Sequence, residues 1–269
     1  MLKSRNPKTG EVIRESVPDK HFKDWQGRDE KWLFISPHDD DVIIGGALLI
    51  QWALMNKVSV DVLIVTDGSM GYCTEEQRDN IKEIRRKETN AAFALLGVDE
   101  VKWLGFPDGG LRLYQGRRAA QKDEAAAIAG YVGLQNSFTY WFRKLKPTRV
   151  FIMADSDYHP DHKVAHEEAI ISLFHANNQI WPELGKGRDF FPAVYELAAY
   201  CDFVSPPTIE ICARTEMFNK KLKSIKAFSS QEEIIAPLVR ILEDRGPYEY
   251  VREFDFKLYD PQVYKALFE

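Results

Sequence analysis

From Trp32 to Met153 the chain alternates short β-branched or aromatic runs with segments of helical length, and this alternation restricts the fold more than any other feature. Trp32–Ser36 reads as a strand and Val42–Lys57 as a helix; Val58–Thr66 follows as a strand and Thr74–Leu96 as a long helix ending at Gly97. Glu100–Leu104 then reads as a strand, Asp123–Leu145 as a helix stopped before Pro147, and Arg149–Met153 as a fourth strand. Such a pattern predicts an α/β fold, a mostly parallel sheet with helices on both faces, and a ligand crevice beyond the carboxyl ends of the strands. The functional loops are expected to start near residues 37, 67, 105 and 154. The C-terminal third adds apolar runs at Ala193–Tyr200 and Thr208–Cys212, helices near Glu216–Ala227 and Gln231–Asp244, and a last strand near Tyr248–Phe256. Residues 1–31 mix charges with Pro7, Gly10, Pro18 and Gly27 and read as an arm, whereas 32–269 show no linker or repeat and read as a single domain.

Several partner classes are excluded at once. The balance of 36 basic and 41 acidic residues, a net charge of −5, supplies no electrostatic footprint for nucleic acid or an anionic membrane. Val42 to Met55, the most apolar stretch, is interrupted by Gly45, Gly46 and Gln51 and is shorter than the ~20 residues that span a bilayer, so no integral membrane segment is expected. MLKSRNPKTGEVIRES has charges without an apolar stretch behind them, unlike a Sec signal peptide, and the cytoplasm is the expected compartment. Cys73, Cys201 and Cys212 form no CxxC pair, so a metal must be held by His and carboxylate. Monomer and homo-oligomer both stay open.

Two clusters of chemically active residues follow predicted strands. Ser36-Pro37-His38-Asp39-Asp40-Asp41 opens the first helix. One carboxylate suffices to cap a helix N-terminus, and three adjacent ones repel unless a cation neutralises them. Asp155 to His166 follows the fourth strand and holds three of the six histidines; His162 and His166, spaced i, i+4, share a helical face, and His159-Pro160-Asp161-His162 is the turn feeding it. Together the clusters offer two imidazoles and a carboxylate, a donor set for catalytic zinc that suits ferrous iron equally. A magnesium phosphatase using Asp39 and Asp41 competes, although such chemistry puts its nucleophile directly after the strand, where Ser36, Pro37 and His38 intervene here.

These residues resemble those of the PIG-L or LmbE-like zinc-dependent N-deacetylases. The family's His-Pro-Asp-Asp stands here as His38-Asp39-Asp40-Asp41, and its His-Pro-Asp-His is unchanged at 159–162. Thr66-Asp67-Gly68-Ser69, Arg85-x-x-Glu88 before Leu96-Gly97, and Phe106-Pro107-Asp108-Gly109-Gly110-Leu111 are similar to the family's intervening motifs. Lys221, Lys226-Ala227, Ser230-Gln231 and Glu253-Phe254 resemble its weaker closing ones. The resemblance, over roughly residues 32 to 255, implies a Rossmann-like three-layer sandwich. It implies Zn2+ bound by His38, Asp41 and His162, with Asp40 as general base, and His159 stabilising the oxyanion with Asp161 orienting it. Arg85 and Asp108 would then contact the sugar. The implied reaction removes acetyl from an N-acetylglucosamine conjugate, a small-molecule amino-sugar substrate, giving acetate and a free amine. A carbohydrate-binding relative without turnover is the alternative outside enzymes. Asp39 and Val42 depart from the family pattern at its proline and its following acid. His166 is expected to be structural, and Tyr72, Trp103, Tyr158 and Trp181 are candidates for sugar stacking.

Overall fold

In the computed structural model, which describes residues 1–15, 17–256, 258–265 and 267–268, two short strands open the chain, β1 (Leu2–Arg5) and β2 (Val12–Ile13). Strand β3 (Lys31–Ser36) is buried at every residue but Lys31, as expected of a parallel strand covered on both faces. Helix α1 (Asp41–Met55) is apolar on nearly all sides and sits in the core. Strand β4 (Ser59–Thr66) is followed by α2 (Ile81–Leu96), which ends in a left-handed cap at Gly97. Then come β5 (Lys102–Phe106), a small hairpin of β6 (Arg118–Ala119) and β7 (Tyr131–Val132), α3 (Leu134–Leu145), β8 (Arg149–Met153) and α4 (Pro160–Asn177). Pro160 opens α4 at a position where a missing N–H costs nothing. The remainder is β9 (Ala193–Leu197), β10 (Ile209–Cys212), α5 (Thr215–Lys226), α6 (Glu232–Arg245), β11 (Tyr248–Phe254) and α7 (Gln262–Lys265).

One sheet runs β2-β1-β10-β11-β9-β8-β3-β4-β5. From β9 to β5 every pairing is parallel; from β9 through β11 and β10 to β1 and β2 every pairing is antiparallel. The expected parallel sheet is therefore the core of a larger mixed one. The burial patterns give the reason: β8 is buried at every residue, whereas β11 alternates buried and exposed residues over Tyr248–Val251, as a strand covered on one face does. Helices α1, α2, α5 and α6 pack around one hydrophobic core, and α3 and α4 around a second. Residues of the N-terminal arm join this body: β1 pairs with β10, and Phe22 and Trp25 lie 5.0 and 6.3 Å from the Trp32 ring. Among the described residues no helix is long and apolar enough to cross a membrane.

Two helices start later than the sequence predicts. The helix read from Asp123 begins only at Leu134. Asp123, Ala126 and Ala129 adopt positive φ, and the Asn136 amide donates to the carbonyls of Ile128 and Tyr131 at 3.1 and 3.0 Å, so tertiary hydrogen bonds override the helix propensity of the alanine run. The helix read from Thr74 begins at Ile81, because Gln77 folds back to accept from the backbone N–H groups of Cys73 and Thr74 and closes a separate turn.

Gly45 shows how tightly α1 meets the sheet end. A Cβ there would lie 2.8 Å from the Ala198 carbonyl oxygen, which is backbone and cannot step aside, whereas at Gly46 it would meet the mobile tip of Leu197 at 3.1 Å. Gly45→Ala is expected to destabilise the protein by about 1–3 kcal/mol despite the better helix propensity of alanine. Gly46→Ala is expected to cost less, and urea unfolding of the two variants measures the difference.

Candidate metal centre

The turn between β3 and α1 is held from several sides. The Val42 N–H donates to Ser36 Oγ at 3.1 Å, Ser36 Oγ donates to the His38 carbonyl, and the Thr66 N–H and hydroxyl both donate to the Pro37 carbonyl. The His38 N–H donates to Asp41 Oδ2 at 2.8 Å, folding that carboxylate back toward the imidazole. On the neighbouring strand β8, the chain turns through Asp157 and His159 into α4, which carries His162 in its first turn.

Strand adjacency brings these turns together. His38 Nδ1 lies 3.1 Å from His162 Nε2 and 3.3 Å from Asp41 Oδ2, and His162 Nε2 lies 3.1 Å from Asp41 Oδ2. Donor atoms bound at about 2.0–2.1 Å around a tetrahedral zinc ion lie about 3.3 Å apart, so the triangle has the size that cation demands. Asp41 is fully buried and its Oδ1 has no hydrogen-bond partner, a cost that a cation relieves. The far nitrogen of each imidazole also faces a carboxylate: His162 Nδ1 lies 3.0 Å from Asp157 Oδ2, and His38 Nε2 lies 3.1 Å from Asp108 Oδ1 and 3.6 Å from Asp161 Oδ2. These are contacts at ion-pair distance, and neither nitrogen makes a well-aligned hydrogen bond; a carboxylate beside the far nitrogen is the kind of partner that orients a metal-binding histidine. The residues present fit a divalent cation.

The electrostatics follow from the same contacts. Burial alone would lower the pKa of His38, but Asp108, Asp161 and Asp41 together hold it well above its ordinary value. Burial likewise opposes protonation of His162, yet Asp41 and Asp157 raise its pKa to about 9. Burial penalises the Asp41 carboxylate, and the two imidazoles outweigh that and keep it ionised. A cation must therefore displace protons, and its affinity is expected to rise with pH toward 9. Calorimetry in two buffers of different ionisation enthalpy measures the protons released; uptake without release would exclude this site.

The other expected residues take distinct places. Asp40, the N-cap residue of α1, is 8% exposed and lies 3.3 Å from Arg85 Nη2. His159 is exposed, its ring centred 4.5 Å from that of His38; its Nδ1 accepts the Asp161 N–H at 3.2 Å, so the ring N–H is on Nε2. Burial, and then the charges of His38 and His162, lower its pKa. The Asp161 carboxylate points elsewhere, accepting from the N–H groups of Gly109 at 2.8 Å and Leu111 at 3.2 Å. Asp108 faces His38 and accepts the Met70 N–H at 3.1 Å. Arg85, expected at the sugar, is 3% exposed and pairs with Asp39. His166 is buried and hydrogen-bonded to the Met153 carbonyl. Of the four aromatic candidates, Tyr158 stands beside the site at 84% exposure; Trp103 packs under Arg86, Tyr72 against Arg78, and Trp181 against His175 and Arg117.

Two residues beside the site carry no sequence signal. Asp157 stands five residues before His162, a spacing no helical or strand periodicity picks out. Tyr200, on the loop after β9, has its ring 6.4 Å from that of His162, and only the sheet order places it there. Asp157→Asn is expected to weaken divalent-cation affinity about 10–100-fold. Competition with a chromogenic chelator measures it, and unchanged affinity would remove Asp157 from the centre.

Comparison with known proteins places the chain among its relatives. A 1D-myo-inositol 2-acetamido-2-deoxy-alpha-D-glucopyranoside deacetylase of Nocardioides is 28% identical over 160 residues, covering 52% of this chain and 53% of that protein. The chain thus matches about half the length of its curated relatives. N,N'-diacetylchitobiose deacetylase from Pyrococcus horikoshii superposes with a TM-score of 0.65 at 23% identity over 88% of each chain. A 4-carboxy-2-hydroxymuconate hydratase from Pseudomonas putida does so with 0.64 at 18% identity, over 86% of this chain and 98% of that one. The two structural likenesses concern the fold, which carries more than one chemistry. Residues 33–173, more than half of the sequence and including every residue of the cation triangle, match the PIG-L family, described as GlcNAc-PI de-N-acetylase, and the chain belongs to that family.

Proposed function

We propose that the chain is a divalent-metal-dependent N-deacetylase that hydrolyses the acetamide of an N-acetylated amino-sugar conjugate to acetate and a free amine. The convergence of His38 Nδ1, Asp41 Oδ2 and His162 Nε2, with Asp40 and His159 at hand, carries this reading. Two imidazoles and a carboxylate favour zinc, with ferrous iron as the other ion the donors suit. A cation held there supplies an acidified water and polarises the amide oxygen.

The chain's own groups do the rest. Asp40 accepts the proton of the attacking water and hands it to the departing nitrogen as the C–N bond breaks, so the proton count closes over the reaction. His159 presents Nε2–H as a donor for the oxygen on which negative charge builds. Asp161 and Asp108 hold the loop after β5 against His38 and keep that imidazole turned. Asp39, which a phosphatase would need as nucleophile, is fully buried against Arg85 and presents no oxygen to the crevice. The family membership and the sugar deacetylases among its relatives support the substrate class.

The test is amine and acetate release from a panel of N-acetylglucosamine conjugates by zinc-loaded protein, with and without chelator. Equal amounts of the two products, lost on chelation and restored by zinc, are expected. Release of phosphate from phosphorylated sugars without amine from any conjugate would overturn the reading.

A further inference from the structure

We propose that Asp39 is a positioning residue whose pairing with Arg85 fixes the carboxylate of Asp40; the inference rests on the deacetylase reading above. Asp39 stands where the related pattern has proline, and the structure gives the substitution a partner set. Asp39 Oδ2 accepts from Arg85 Nε at 3.0 Å and from the Thr89 hydroxyl at 3.0 Å, and Asp39 Oδ1 accepts from Arg85 Nη2. Arg85 and Thr89 are one turn apart on α2, so a single helix face grips the carboxylate.

The grip has a direction. The same Nη2 that binds Asp39 lies 3.3 Å from Asp40 Oδ2, so the guanidinium stands at ion-pair distance from two consecutive carboxylates and draws one oxygen of Asp40 toward it. Arg85 is held in a buried setting: it is 3% exposed, and its Cζ lies 5.0 Å from the Phe228 ring. Without this bridge, Asp40 would sit at a helix N-terminus free to rotate among its rotamers. A buried ion pair is weak evidence for stability, because desolvation offsets the attraction. Its effect here is on geometry. Arg85 thereby acts through Asp40.

The experiment compares wild type, Asp39→Asn and the double variant D39N/R85Q, which keeps hydrogen bonding between neutral side chains if the single variant leaves Arg85 unpaired and fails to fold. For each, kcat and KM are measured on the best N-acetylated substrate, the divalent cation per chain is determined, and a crystal structure of the zinc-loaded protein is solved. The expected result is a fall in kcat of about 10–100-fold with KM within about threefold, since misplacing a reacting group by about 1 Å costs up to about 10²-fold. Cation content is unchanged, and Asp40 occupies a new rotamer. Unchanged kcat in a folded variant, or an unmoved Asp40, overturns the proposal; loss of cation with Asp40 in place assigns Asp39 to the metal centre and also overturns it. If wild type cleaves no N-acetyl substrate, the deacetylase reading fails while the rotamer of Asp40 in the two structures still decides the positioning role.

Discussion

Replacing Asp40 with asparagine is expected to lower amide hydrolysis by about 10²–10⁴-fold while the bound cation stays in place. The amide side chain keeps the size of the carboxylate, and Arg85 keeps its hydrogen bonds to Asp39, so the α1 N-terminus and the pairing behind it persist. What disappears is a group able to take a proton and return it. Because that group acts only in the transition state, the loss falls on kcat and kcat/KM alike, with KM little changed. Stopped-time assays of amine release alongside metal analysis make the comparison. Residual activity within tenfold of wild type would move the proton transfer to another group, and His159, with its ring beside that of His38, is the one the geometry then offers.

Removing a donor has a different signature. His162→Ala takes away one corner of the triangle and leaves Asp41 and His38 to hold a cation alone. The loss of affinity is expected to exceed the roughly 10–100-fold of an outer partner, and hydrolysis falls to background. Stability reports it independently: a cation at 1,000 times its Kd stabilises the folded state by about 4 kcal/mol. Thermal unfolding of wild type is therefore expected to move down on chelation, whereas that of His162→Ala does not. A variant whose melting still responds to chelator at the wild-type cation concentration would place the cation elsewhere. Among the described residues two clusters without His162 then remain, His38 with Asp108 and Asp161, and Asp155 with His166 and Glu196, the latter already neutralised in part by Arg252.

What could be read before folding was the chemistry that lies in consecutive residues. His38 to Asp41 and His159 to His162 each fit within one turn, and each follows a strand whose apolar run is plain, so their meeting at the sheet's carboxyl edge follows from the β/α order. The roles of Arg85 and Asp108 were less legible. Their motifs name residue types but not depth: Arg85 is 3% exposed and lies against Asp39 and Asp40, a burial that only the folded chain records. Asp157 escaped because turns have no period. The antiparallel half of the sheet escaped for a different reason: β10 and β11 are separated by two helices, and strand direction is set by how those helices return, which local sequence does not record. The alanine-rich stretch before Leu134 shows the opposite failure, a clear local preference overruled by the side chain of Asn136.

The two halves of the cation triangle lie 124 residues apart and meet only through the pairing of β3 with β8. A slip of one residue in that pairing would carry His162 about 3.3 Å along the strand axis and turn the strand over, out of reach of Asp41. The ion cannot then serve as a template around which the chain assembles; a nascent polypeptide that ends before α4 owns only His38 and Asp41. A cation held by these three donors would be captured last, and its retention would report that the parallel core has closed in the correct register.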